Sequence, residues 1–157
     1  MTKNCFFIGH HDCGEDVLPL LRNAVERHIT EYGITAFYVG HYGNFDRMAA
    51  QAVLIAKQYH SGITLTRLIP YHPYDRPMPV PKGYDGTFYP PNMETVPKRY
   101  AIVRANRYMI DTSTHLIAYA WHRLGGAGNL VEYARKREKK GAIHIENLAQ
   151  GLRPSAL

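Results

Sequence analysis

Three glycine-rich turns carry the clearest chemical signal in this chain. Gly9-His10-His11, Gly40-His41-Tyr42-Gly43 and Gly125-Gly126-Ala127-Gly128 each follow an apolar run and lead into a helical pattern. A glycine turn entering a helix lets backbone N–H groups approach phosphate oxygens, and the helix N-terminus adds a favourable partial charge. One such turn can equally be a tight bend and nothing more. In an open α/β sheet, ligands bind outside the carboxyl ends of the strands. Three glycine turns at that edge therefore point to a nucleotide or a nucleotide-derived phosphate, with the turn glycines and His10 as candidate contacts.

Side chains near these turns could complete such a site. Asn129 is placed to cap the helix after the third turn, and Glu132 follows one turn later. Glu132 can complement the helix dipole, or it can face a ribose as a hydroxyl acceptor or acid/base group. Upstream, Arg104 and Arg107 sit on the preceding helix, where a guanidinium aimed at the glycine turn would clamp phosphate bidentately. Three residues apart, they share a helix face only loosely, so one of them is expected to be structural. Asp46 can cap its helix or accept a ribose hydrogen bond, and its position favours the cap. His10-His11-Asp12-Cys13 has no spaced second pair of Cys or His, so no metal site is expected. Ser61 and Ser113 lack the strand-to-helix setting of a nucleophilic serine.

The elements that must position these residues alternate strand and helix. Lys3 to Gly9 reads as a buried first strand, Thr35 to Val39 as a second, and the β-branched run Ile63 to Ile69 as a third. A helix with Leu18, Leu21, Ala24, Val25, His28 and Ile29 on one face joins the first two strands. Another, from Phe45 to about His60 with Asn44 as its cap, joins the second and third. A helix from about Lys98 to Asp111 leads to a strand at Thr114 to Tyr119. A helix from Asn129 to Lys140 then leads to a strand at Ala142 to Ile145. This order implies a three-layer, Rossmann-like α/β fold with a mainly parallel sheet of about five or more strands. Between Pro70 and Pro97 lie eight of the ten prolines together with five aromatic residues, which excludes a regular helix or central strand. That segment is expected to be an ordered excursion over one edge. From about Glu146 the chain is expected to be a surface tail.

At 157 residues the chain suits one domain with its own core. No run approaches the roughly 20 apolar residues that a membrane span needs. Thr2-Lys3-Asn4 leads straight into the first strand rather than a signal-peptide layout, and the two cysteines suggest no disulfide framework. A cytosolic setting is the expectation. The net charge of +6 favours anionic partners. The basic run from Arg135 to Lys140 reads as a solvated helix end more than as a nucleic-acid patch, because it lacks interleaved aromatics.

The motifs FIGH at Phe7 to His10, GHYGNFD at Gly40 to Asp46, RANRYMID at Arg104 to Asp111 and HLIAYAWHRLGGAGNLVEYARK at His115 to Lys136 resemble the SLOG superfamily. That superfamily groups the Rossmann domain of DNA-processing protein A, the Lonely Guy phosphoribohydrolases and small single-domain YpsA-like bacterial proteins, and the likeness is strongest to the last. The resemblance implies binding or sensing of a nucleotide-like ligand, with no cofactor required. Its alternative is cleavage of the base–ribose bond of a nucleoside monophosphate, with Glu132 and Arg107 as the catalytic pair. A DNA-binding accessory role is a third implication. The phosphoribohydrolase motif PGGxGTxxE is matched at Gly125, Gly126, Gly128 and Glu132, with Leu124 in place of the proline and Asn129 in place of the threonine. The enzymes' Arg-Lys pair is absent, which weakens hydrolysis more than phosphate binding. A homodimer is the expected assembly.

Overall fold

The computed structural model describes residues 3–121 and 125–149. In chain order it contains β1 (Asn4–Gly9), α1 (Val17–Thr30), β2 (Ala36–Val39), α2 (Asn44–Lys57), β3 (Thr64–Leu68) and β4 (Gly86–Phe88). There follow α3 (Ala101–Thr112), entered through a short 3-10 turn at Lys98–Tyr100, then β5 (His115–Tyr119), α4 (Gly125–Glu138) and β6 (His144–Asn147). β1 explains the layering. Successive strand residues point to opposite faces, so Cys5 and Phe7 enter a core built with Leu21, Val25, Met48 and Val53 of α1 and α2. Phe6 and Ile8 enter a second core with Ala105, Met109, Leu130 and Val131 of α3 and α4. Each fully buried phenylalanine contributes roughly 1.5–3 kcal/mol.

The strands lie in the order β4-β3-β2-β1-β5-β6, and every neighbouring pair is parallel. This is a three-layer, Rossmann-like α/β fold. The order reverses at β1, which pairs with β2 on one side and with β5 on the other. Among the described residues, no helix is long and apolar enough to cross a membrane. Cys5 and Cys13 are both buried and unbridged.

Two sequence expectations are corrected here, on the tail after Glu146 and on Asn44. The excursion from 70 to 97 adds a strand at the sheet edge, β4, beside β3. Asp85 prepares it by accepting the Leu65 N–H at 2.8 Å while pairing with Lys57. The surroundings suit an edge, because prolines there leave no central ladder bond unmade. Beyond Glu146 the described chain is packed rather than a tail. Asn147 binds both backbone groups of Ala120, at 3.2 and 2.9 Å, and Leu148 and Ala149 are buried behind it. Residues 150–157 lie outside the described part. Finally, Asn44 does not cap α2. Gly43, at φ 118°, occupies the boundary, and the Asn44 amide donates instead to the Cys13 carbonyl at 2.6 Å.

At the opposite end of the sheet, three histidines gather around Tyr32. His28, fully buried, donates from Nδ1 to the Ala24 carbonyl at 2.7 Å, and its Nε2 has no partner. Its ring lies 5.6 Å from that of His115, which lies 5.4 Å from that of His144. Burial holds His28 below its ordinary value of 6.5, and burial with the neighbouring imidazoles pushes His115 down to about 4. The unfolded chain therefore binds protons in this window that the folded chain refuses, so stability falls as pH drops from 6.5 towards 4. Urea unfolding across that range is expected to show this loss, and His115→Gln to flatten it by about 1–2 kcal/mol relative to the unmodified chain.

Candidate functional site

Where the strand order reverses, the loops after β1 and β5 leave towards opposite faces, and a cavity of about 370 Å³ opens above the sheet. Ligand sites of α/β sheets form at such points, and this volume falls in the usual range for small molecules. The β1 turn supplies Gly9 to Asp12, and the β2 turn supplies Gly40 and Tyr42. Asp46 comes from α2, while Leu68 and Pro70 follow β3. Ile102, Val103, Ala105 and Asn106 come from α3, and Gly125, Gly126, Ala127 and Leu130 from α4. The walls are mainly apolar, with a few polar groups converging on them.

The glycines do not all serve the same purpose. A Cβ on Gly9 would overlap the Phe45 ring, so Gly9 is what lets α2 approach the end of β1. A Cβ on Gly43 would lie 2.5 Å from the His11 Cβ, and the Asn44 N–H donates to the His11 carbonyl at 2.7 Å in the same contact. A Cβ on Gly40 would lie 2.8 Å from Asp46 Oδ2. Packing alone accounts for these three. Gly126 differs, because nothing lies within 4 Å of the Cβ it lacks and it borders the cavity.

Two titratable side chains in the walls have defined environments. The Asp46 carboxylate accepts the Tyr42 N–H at 3.1 Å, in the manner of a capping residue reaching back before its helix. Burial pushes its carboxyl up to about 7, so it exchanges a proton near neutrality. His10 ties two turns together. Its backbone N–H donates to the Tyr119 carbonyl, and its Nε2 accepts the Trp121 N–H, each at 3.2 Å. That acceptor role places the ring proton on Nδ1 of a neutral imidazole.

The third glycine turn departs from the sequence expectation. α4 begins at Gly125, so Gly126 and Gly128 lie within its first turn, and Asn129 is an exposed residue inside the helix rather than its cap. Burial of Leu130, Val131 and Ala134 outweighs the cost of about 1 kcal/mol that each glycine imposes on a helix. Leu124, matched to the motif proline, lies outside the described residues. Glu132 pairs with Arg135 at 3.7 Å and borders a separate depression with Trp121, Gly128 and Lys139. Neither arginine of α3 lines the cavity. Arg104 is exposed, and Arg107 lies over the Tyr133 ring at 5.2 Å. Helix geometry explains this, since Arg104 stands about 200° around the axis from Ile102 while Asn106 stands only about 40° from it. His11, Asp12, Tyr42 and Asn106 are polar wall residues that were not among the expected ligand contacts. All four lie in stretches singled out in the sequence, and for Asn106 the helical spacing from Ile102 was the available signal. Among the described residues no three His, Cys, Asp or Glu side chains converge as a metal ion would require.

No family model matches this chain. No curated protein matches it either. Among solved structures, it is similar to the structure of the Moco carrier protein from Chlamydomonas reinhardtii. The TM-score is 0.49 at 15% identity, covering 97% of this chain and 94% of that one. So distant a likeness leaves the site to be argued from its own residues.

Two measurements separate packing from binding roles. Gly9→Ala is expected to lose about 1–3 kcal/mol in urea unfolding, because the new methyl collides with Phe45. Gly126→Ala is expected to stay within about 1 kcal/mol of the unmodified chain. Asp46 carries a pH signature of the opposite sign to the histidines. Its carboxyl is raised from 3.8 to about 7, so the folded chain holds a proton that the unfolded chain has released. Its contribution to stability therefore falls as pH rises through that window. Asp46→Asn is expected to exceed the unmodified chain by about 2 kcal/mol above pH 7, with the difference vanishing below 3.8.

Proposed function

We propose that this protein binds a nucleotide or nucleotide-derived phosphate ligand in the switch-point cavity, as a binding or sensing protein. The observation that carries this reading is the meeting of a small-molecule-sized cavity with the first turn of α4, where Gly126 leaves room for a ligand atom. The N–H groups of that turn, which have no acceptor within the helix, and the helix dipole suit a phosphate. Asp46, at the other wall, suits ribose hydroxyls or a base N–H. Leu68, Ile102 and Leu130 offer apolar surface to a base. Gly9, Gly40 and His10 contribute backbone and shape at the centre.

The hydrolytic alternative needs Glu132 at the sugar. Its pairing with Arg135 outside the cavity supports binding over bond cleavage. We take the protein to act in the cytosol as a homodimer, with DNA binding the less favoured role.

A thermal-shift panel of AMP, GMP, cyclic nucleotides, ADP-ribose, NAD and inorganic phosphate tests this reading. A ligand at a hundred times its Kd adds about 2.7 kcal/mol of apparent stability. At least one nucleotide is expected to raise Tm, and Gly126→Asp to fold yet lose that rise, because its carboxylate occupies the phosphate position. Equal responses from Gly126→Asp and the unmodified chain would sink the proposal.

A further inference from the structure

Arg67, near the carboxyl end of β3, is the one lysine or arginine buried among the described residues, at 8% exposure. Its guanidinium has no carboxylate partner and makes no hydrogen bond within the described chain, and its Nε is fully enclosed without an acceptor. The Tyr84 ring lies 4.9 Å from the guanidinium carbon. A ring face offsets only part of the cost of taking a guanidinium out of water. Buried charges in proteins are ordinarily paired, so this cation calls for an anion that the described residues do not supply.

The position of Arg67 indicates where that anion would come from. Arg67 pairs in register with Val39, one residue before the cavity-lining Leu68 and Gly40. Strand alternation turns its side chain to the face opposite Leu68, the face of Leu65, Val39 and Tyr84, so it meets the cavity from outside its walls. Tyr42, two residues beyond Gly40, lines it as well. The Arg67 charge reaches the β2 turn, where it helps burial to hold the His41 imidazole below its ordinary value. A second guanidinium stands nearby. Arg76 lies 4.0 Å above the Tyr71 ring, and its charge, like that of Arg67, bears on Tyr42. The lip at the β2–β3 side is therefore cationic, whereas the described cavity walls contain no lysine or arginine.

We propose that Arg67 anchors an oxyanion, phosphate or carboxylate, at the β2–β3 lip of the cavity, across the sheet from the α4 turn. The planar guanidinium fork matches either group bidentately. Where the proposed function holds, on which the assignment to the cavity ligand rests, the ligand class narrows to nucleotides with a second anionic group away from the phosphate at α4. Nucleoside diphosphates, dinucleotides and carboxylate-bearing conjugates have that chemistry, and a nucleoside monophosphate does not.

The test uses the full chain with inorganic phosphate and with succinate as probes, against chloride at matched ionic strength. Titration calorimetry and thermal shift provide the readouts. Phosphate or succinate is expected to stabilise the unmodified chain beyond chloride, and the responding probe tells which oxyanion the lip prefers. Arg67→Met, which keeps the apolar stem against Tyr84, is expected to weaken that binding by about thirtyfold or more. Arg67→Lys keeps the charge without the fork, should fall between the two, and serves if the methionine variant does not fold. Equal responses from Arg67→Met and the unmodified chain, or no response to either probe, would overturn the inference. A nucleotide-induced rise that Gly126→Asp abolishes and Arg67→Met leaves intact would overturn it while leaving the proposed function standing. An Arg67-dependent phosphate response persisting in Gly126→Asp, with no nucleotide response in the unmodified chain, would support the Arg67 site and remove the proposed function.

Discussion

The contact between the end of β1 and the Phe45 ring sets the geometry on which the site depends. α2 can lie this close only because residue 9 has no side chain. Once α2 is seated there, its first turn brings Asp46 against Gly40, and Gly43 meets the backbone of His11. The loops after β1 and β2 are thereby locked to one another and form one side of the cavity. Phe45 also stacks on Tyr119 at the end of β5, with ring centroids 6.4 Å apart. One aromatic side chain thus links the ends of the two strands between which the sheet order reverses.

The cavity region departs from the stability optimum. The cores on both faces of the sheet are apolar and closely filled, with most of their side chains fully buried. Above the sheet, burial raises the Asp46 carboxyl to about 7, and the Arg67 guanidinium is buried with no carboxylate partner among the described residues. Both arrangements cost folding free energy, and such costs concentrate where a protein has something to bind. The opposite end of the sheet shows a different case. Of the histidines around Tyr32, burial lowers the pKa of His28 and His115, but these two lie at the bottom of the core and border none of the cavity.

Much of the architecture was legible in the sequence because it follows from local patterns. The apolar run ending at Gly9, the β-branched run at residues 63–69 and the amphipathic spacing of α1 and α2 each encode their element through burial periodicity. What the patterns did not show was how the ends of elements are completed by distant residues. β4 is a strand because Asp85 reaches Leu65 and Lys57, not because Gly-Thr-Phe has a strong preference for one. β6 continues through Asn147 because that side chain binds Ala120 in the loop after β5.

The site divides in the same way. The residue order by itself determined that glycine turns would crowd the carboxyl edge of a parallel sheet, since that follows from strand, turn and helix alternating along the chain. Only the tertiary structure decided which turn has free space. Whether a missing Cβ leaves room for a ligand or is filled by a neighbouring ring depends on atoms more than thirty residues away, as for Gly9 and Phe45. The same holds for charge. Arg104 and Arg107 stood out because they lie in a motif, yet helix rotation turns both away from the cavity. Arg67, in a plain strand sequence, is buried beside Tyr84, a residue seventeen positions away, and no local pattern encodes that burial.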